Sequence, residues 1–156
     1  MDLLAEKAHL VARYSAGNNA GHTIINELGE FKLHIVPAGI FYPEKVCVIG
    51  NGLVIDPAVL LEEIGHLEDR GVSVKGRLFL SDRAHVLMPW HRLLDRLDED
   101  LRGENAVGST GRGITPAFID KVGRSVVRVA DLVEPEALLS VLQLRLPYKN
   151  RLLEGV

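Results

Sequence analysis

Short apolar segments alternate with amphipathic ones along this chain, and that order constrains the fold more than any other feature. The predicted strands are residues 10–14, 46–49 and 77–80. A helix is predicted to begin at Asp56-Pro57, an N-cap residue followed by proline in the first turn, and to end at Gly71. Strands that alternate with helices predict an α/β fold with a mainly parallel central sheet flanked by helices.

A hairpin is predicted to be inserted near the start of this sheet. Residues 23–26 and 31–36 alternate in polarity and flank Glu27-Leu28-Gly29-Glu30. After the strand at 46–49, the segment Gly50-Asn51-Gly52 is interpreted as a turn.

The second half of the chain is predicted to contain two further helices. Pro89 opens the first, and five apolar residues recur in it at helical spacing: Trp90, Leu93, Leu94, Leu97 and Leu101. The second is predicted from about Pro135 to Arg145, and residues 149–153 resemble the start of another. Between these helices, Lys121, Arg124 and Arg128 form a short basic stretch.

Two glycine-rich loops are candidate phosphate-binding segments. Residues 17–23 read Gly-Asn-Asn-Ala-Gly-His-Thr, and residues 108–116 read Gly-Ser-Thr-Gly-Arg-Gly-Ile-Thr-Pro. Backbone N–H groups in such loops can surround an anion, and His22 and Arg112 add chemistry that an ordinary turn lacks. The first loop directly follows a strand, the position at which parallel sheets bind ligands. An ordinary surface loop and a flexible linker are the alternatives that composition leaves open.

Composition excludes several classes of function. The formal net charge of −3 does not favour nucleic-acid binding, and no apolar run approaches the length of a membrane span. The single cysteine, Cys47, lies in an apolar run and is predicted to be a buried strand residue. A cytoplasmic setting is therefore expected. The other histidines share no metal-ligand spacing and are interpreted as structural or exposed.

With both loops in this order, the chain resembles the adenylosuccinate synthetase family. The motifs that carry the resemblance are Asp2-Leu3-Leu4, Arg13-Tyr14, Asn19-Ala20-Gly21-His22-Thr23, His34 to Gly39, Ile49-Gly50-Asn51-Gly52, residues 67–71, Gly108 to Pro116, and Asp120-Lys121-Val122. The resemblance covers essentially all 156 residues. It implies a P-loop-NTPase-like fold and a GTP-dependent ligase that joins L-aspartate to IMP. The products are adenylosuccinate, GDP and phosphate, in AMP biosynthesis.

The resemblance also implies roles for individual residues. His22 corresponds to the catalytic acid, and Gly21 to the residue whose carbonyl oxygen binds Mg²⁺. The residues implied to contact IMP are Asn19, Ala20, Gly21, His22, Thr110 and Arg124. Those implied to approach the GTP phosphates are Gly21, His22 and Thr23. Arg124 is implied to reach the IMP of a neighbouring subunit, so a two-fold homodimer is expected.

The family opens with a strand and a Gly-Asp-Glu-Gly-Lys-Gly-Lys loop before the helix with which this chain begins. We therefore expect residues 1–156 to be an incomplete synthetase domain, lacking that phosphate loop and the C-terminal remainder. The alternative is an inactive truncated remnant that at most binds a purine nucleotide or pairs with an intact subunit. Because the missing loop carries the catalytic base, no turnover is expected from these residues alone.

Overall fold

The computed structural model describes residues 2–154; Met1, Gly155 and Val156, which the predicted domain 1–156 includes, lie outside the described residues. The chain divides into two compact units, Met1–Ala84 and His85–Val156. The first unit contains α1 (Asp2–Lys7), β1 (Leu10–Ala16), β2 (His22–Asn26), β3 (Gly29–Leu33), β4 (Val46–Ile55), α2 (Pro57–Asp69) and β5 (Leu78–Leu80).

The first unit is an α/β structure with a parallel sheet and an inserted hairpin, which confirms the predicted fold class. β1 pairs with β4, and β4 pairs with β5, in both cases in parallel. β2 and β3 form the antiparallel hairpin. The largest fully buried side chains of this unit are aliphatic and come mainly from β3, β4 and α2: Leu33, Ile35, Ile40, Ile49, Leu53, Ile55 and Leu67.

β4 continues through the glycines that were predicted to form a turn, so that prediction is wrong; the strand instead carries one extra residue there, between the pairs Arg13–Ile49 and Ser15–Gly52. The pairing of β1 with β4 is irregular between Arg13 and Ser15. A Cβ atom at Gly52 would lie 2.0 Å from the carbonyl oxygen of Tyr14. Glycine at this position therefore allows two strands to approach closely, which is a common reason for glycine inside a strand.

α2 begins as predicted, and its buried face contains an unexpected acid. The side chain of Asp56 caps the helix by accepting from the Val59 N–H group at 3.5 Å. Leu60 and Leu67 are buried, and so is Glu63, which lies between them on the same face. Gly71 follows the helix with a φ of +81°, a left-handed conformation in which glycine is favoured.

The second unit contains β6 (His85–Val86), α3 (Pro89–Arg102), α4 (Ile114–Val122), α5 (Val129–Val133) and α6 (Pro135–Glu154). α4 was not predicted, because the glycine loop and the basic residues concealed its start and end. α6 is one helix with Pro147 inside it, so the predicted break after Arg145 is wrong. Lys149 and Leu153, beyond the proline, both contact the rest of the unit and hold the helix in place.

The face of α3 that is buried differs from the predicted one. Trp90 is buried as expected and packs with Val86 and Val127. However, Leu93 is 51% exposed and Leu101 is 70% exposed. The other buried side chains of α3 are polar, namely His91 and Asp95. The helix therefore combines an apolar contact at its start with a polar, partly buried stripe.

No helix within residues 2–154 has the length and apolar character that crossing a membrane requires. Cys47 is a fully buried strand residue, as predicted.

Candidate functional site

The loop of residues 17–21 leaves the carboxyl end of β1 and is held in shape by Arg13. Nη2 of Arg13 donates to the carbonyl oxygens of Gly17 at 3.2 Å and of Ala20 at 3.3 Å. Ala16, at the entrance of the loop, has a φ of +83°. Asn18 is 2% exposed, and its Nδ2 donates to Asp56 Oδ2 at 2.8 Å. The loop is thus fixed by contacts within its own unit.

His22 follows this loop as the first residue of β2 and is half-buried. Its Nε2 atom is buried and has no hydrogen-bond partner in the part of the chain that the structure describes. His22 and Arg13 line a cavity of about 290 Å³ whose other walls are mainly apolar, including Leu4, Ala8 and Pro37. Because buried polar atoms are normally paired, this nitrogen is a candidate ligand contact.

The surroundings of His22 favour its neutral form. Burial lowers the pKa of His22 below its usual value of 6.5, and the charge of Arg13 lowers it further, whereas Glu63 opposes both effects. Burial also lowers the pKa of Arg13, with Glu63 again opposing. Arginine nevertheless remains protonated in proteins. The site therefore combines a neutral imidazole with a nearby cation.

Glu63 and His34 position the surface against which the loop of residues 17–21 packs. The Glu63 carboxylate accepts the backbone N–H groups of His34 at 2.5 Å, Ile35 at 3.1 Å and Val36 at 2.9 Å. It also lies 3.4 Å from His34 Nδ1. A Cβ atom at Gly21 would lie 3.0 Å from the His34 ring, so glycine lets the loop pass against this ring. One buried acid thus fixes the surface on which Gly21 lies.

The second glycine loop is also ordered by acids. Glu99 accepts the N–H groups of Val107, Gly108 and Ser109 at 3.1, 2.7 and 3.0 Å. Asp95 accepts the Ser109 hydroxyl at 2.8 Å and the Gly113 N–H group at 2.7 Å. The loop is therefore hydrogen-bonded to α3 near both of its ends.

Thr110 and Arg124 lie in the second unit, and both are exposed. Arg124 has a φ of +56° and follows the end of α4. Its carbonyl oxygen accepts from Arg145 Nη2 at 3.3 Å, and its N–H group donates to the backbone carbonyl oxygen of Lys121 at 3.3 Å. The remaining predicted residues, Asn19, Ala20, Gly21, His22 and Thr23, are grouped in the first unit and, apart from His22, are exposed.

Sequence reasoning did not identify the residues that fix these loops: Arg13, Glu63, Asp95 and Glu99. Two signals were nevertheless present. Glu63 interrupts the apolar stripe of α2 at a buried position, three residues after Leu60. Asp95 and Glu99 are four residues apart and so share one face of α3.

A parallel sheet flanked by helices, whose first strand leads into a polar loop and a half-buried histidine, places the first unit in the class of α/β domains. The chain belongs to the adenylosuccinate synthetase family, whose model matches residues 1–156.

The chain is 53% identical over 155 residues to an adenylosuccinate synthetase of Heliobacterium modesticaldum, covering 99% of this chain and 36% of that protein. It is also 53% identical over 156 residues to one of Dehalococcoides mccartyi, covering 100% of this chain and 37% of that protein. The chain thus spans about a third of the length of the curated relatives it matches.

Solved structures that are similar to this chain include the following two. The fully ligated adenylosuccinate synthetase from Plasmodium falciparum has a TM-score of 0.86 and 33% identity, covering 97% of this chain and 35% of that one. The cyanophage S-2L succinoaminodeoxyadenylate synthetase, bound to dGMP and dATP, has a TM-score of 0.58 and 32% identity. That likeness covers 79% of this chain and 34% of that one.

Proposed function

We propose that this chain forms part of the IMP and GTP site of an adenylosuccinate synthetase. This enzyme ligates L-aspartate to IMP at the expense of GTP, giving adenylosuccinate, GDP and phosphate in AMP biosynthesis. The observation that carries the proposal is the buried, unpartnered Nε2 atom of His22 beside the cation of Arg13. The 53% identity to the Heliobacterium modesticaldum synthetase supports it.

In the proposed reaction, a base removes the N1 proton of IMP, the six-position oxygen attacks the terminal phosphorus of GTP, and GDP leaves. The amine of aspartate then attacks the ring carbon that bears this oxygen, the carbon–oxygen bond breaks so that phosphate leaves, and the nitrogen loses a proton to solvent. In the tautomer that carries its proton on Nε2, a neutral His22 donates a hydrogen bond to the oxygen that gains charge. Phosphoryl transfer depends mainly on such positioning and charge stabilisation. The nearby guanidinium of Arg13 adds positive potential.

The other assignments are part of the same proposal. Asn19, Ala20, Gly21 and His22 contact IMP, and Gly21, His22 and Thr23 approach the phosphates of GTP. Thr110 binds the IMP phosphate, and Arg124 reaches the IMP of a neighbouring subunit in a two-fold homodimer. These assignments are supported by exposure, which makes four of the residues accessible to a ligand: Asn19, Gly21, Thr110 and Arg124.

Magnesium is implied by the family resemblance, with the Gly21 carbonyl oxygen as its protein ligand. Across residues 2–154, no group of three or more His, Cys, Asp or Glu side chains is arranged to hold a metal ion. Mg²⁺ is usually bound through one or two carboxylates together with substrate phosphates. In the proposed site, the Gly21 carbonyl group supplies one oxygen ligand, and substrate phosphates supply others.

The setting that we propose is cytoplasmic, with small-molecule partners and no nucleic acid or membrane. The formal net charge of −3 supports the exclusion of nucleic acid, since nucleic-acid binders are usually basic. Burial raises the pKa of the Cys47 thiol to about 11, so this cysteine is chemically inert.

A thermal melt of the whole chain with and without IMP tests the proposal, because a ligand that binds the folded state raises Tm. We expect IMP to raise Tm in the wild type and to have a much smaller effect in His22→Ala. His66→Ala is the matched control, because His66 is an exposed histidine on α2. An equal IMP effect in His22→Ala and in the control would contradict the assignment of His22.

A further inference from the structure

The loop of residues 107–113 is tied to α3 by a relay that begins at Asp95. This side chain is 4% exposed, and its Oδ1 accepts the hydroxyl of Ser109 at 2.8 Å. The Ser109 oxygen in turn accepts the N–H group of Gly111 at 3.1 Å. Oδ2 of Asp95 accepts the N–H group of Gly113 at 2.7 Å. These bonds fix the loop on both sides of Thr110.

The hydroxyl of Ser109 is oriented by this arrangement. A carboxylate only accepts hydrogen bonds, so the Ser109 proton points to Asp95 and its lone pairs are left for Gly111. Hydrogen bonds to a charged group are about twice as strong as neutral ones. The relay therefore transmits the position of a buried side chain to the centre of an exposed loop.

Two further contacts restrict the same loop. Glu99, one turn after Asp95, accepts the N–H groups of residues 107–109. A Cβ atom at Gly113 would lie 2.8 Å from the backbone nitrogen of Arg92, so the end of the loop lies directly against the α3 backbone. Gly111 and Gly113 have φ values of +64° and +78°, which allow the chain to follow this path.

We propose that Asp95 and Ser109 are positioning residues that hold the loop of residues 107–113 in its present conformation in the absence of a ligand. Thr110 is then presented to a phosphate group without the entropy cost of ordering the loop on binding. The identity of that phosphate, IMP, rests on the proposed function. The proposal that the loop is ordered without a ligand does not rest on the proposed function.

The test compares wild type, Ser109→Ala and Ser109→Thr in the whole chain by amide hydrogen exchange. Alanine removes the hydroxyl, whereas threonine keeps it, so threonine is the conservative rescue. We expect exchange at Gly111 to be faster in Ser109→Ala, by on the order of tenfold for the loss of one hydrogen bond. Ser109→Thr should retain the wild-type protection. Residues of α4 and α6 should exchange as in the wild type in all three proteins.

Unchanged protection at Gly111 in Ser109→Ala would overturn the proposal. So would a loss that threonine does not rescue, or a loss that spreads equally through α4 and α6. A parallel IMP titration with Thr110→Ala separates the two proposals. If the wild type does not bind IMP, or Thr110→Ala binds it equally well, the proposed function fails while hydrogen exchange still decides the role of Ser109. If IMP binds, Ser109→Ala should weaken binding, and unchanged binding would overturn the presentation of Thr110.

Discussion

Lys149 Nζ lies 2.6 Å from Asp120 Oδ1, and both side chains are almost completely buried. The same carboxylate accepts from His91 Nε2 at 2.9 Å and from the Ser125 hydroxyl at 3.1 Å. Nδ1 of His91 accepts the N–H group of Met88, so the ring proton lies on Nε2 and is donated to Asp120. This cluster joins α3, α4 and α6 in one polar network.

Removing the lysine charge should destabilise the chain strongly. Lys149→Met leaves the Asp120 carboxylate buried without its cation, and breaking a buried pair in this way costs about 3–5 kcal/mol. Chemical denaturation monitored by circular dichroism measures the loss. The double variant Lys149→Met with Asp120→Asn should recover part of the stability, because the unpaired charge is then gone. A double variant whose loss equals the sum of the two single losses would contradict this coupling.

The same network predicts a dependence on acid pH. Burial alone would raise the pKa of Asp120, but hydrogen bonds from His91 and Lys149 and the charge of Lys149 lower it from 3.8 to about 2. A carboxyl whose pKa is lower in the folded state stabilises it above its unfolded pKa and loses that contribution as the pH falls. The stability difference between wild type and Asp120→Asn should therefore be constant above about pH 5 and shrink as the pH falls from there towards pH 2. A difference that does not change over this range would show that Asp120 is not the titrating group.

Arg13 should control the protonation of His22. Burial and the Arg13 charge both lower the pKa of His22, so its titration by NMR should have a midpoint below the usual 6.5. Replacing Arg13 with Met removes one of these causes and should raise the midpoint towards 6.5, while burial continues to lower it. A midpoint above 6.5 in the wild type, or a lower one in Arg13→Met, would contradict the electrostatic account of the site.

Gly52→Ala should destabilise the sheet, because the added Cβ would meet the carbonyl oxygen of Tyr14 at 2.0 Å. Overpacking of this kind typically costs about 1–3 kcal/mol, and contact with backbone places the expected cost at the upper end. Gly65→Ala is the matched control. Nothing lies within 4 Å of a Cβ atom at Gly65 on α2. Alanine is favoured over glycine in a helix by about 1 kcal/mol. Thermal melts should therefore show opposite shifts in Tm, and two shifts of the same sign would refute the argument.

Local patterns predicted much of the first unit. The Asp56-Pro57 helix start, the strand at 10–14 and the hairpin depend on neighbouring residues, and the structure contains all three. Gly52 and Pro147 misled the prediction because their roles depend on distant partners. Gly52 fits against Tyr14 in another strand. Pro147 lies inside α6, and the helix continues beyond it to Lys149, which binds Asp120.

The candidate site divides in the same way. His22 and Gly21 stand out in a short polar motif and could be found from the sequence. Glu63, which interrupts the apolar stripe of α2, and Asp95, four residues before Glu99, can be noticed in the sequence, but their function cannot be inferred from it. Their function depends on backbone N–H groups up to 29 residues away, which only the folded chain brings to them.

The backbone conformation of Ala16 makes the loop of residues 17–21 depend on Arg13, and this dependence has an evolutionary consequence. A residue other than glycine with positive φ costs about 1–2 kcal/mol, so the conformation persists only while other contacts impose it. The hydrogen bonds from Arg13 to Gly17 and Ala20 are such contacts. We therefore expect the two positions to be epistatic. A lineage that first acquires glycine at position 16 can lose Arg13 at a lower cost in loop order than a lineage that keeps alanine.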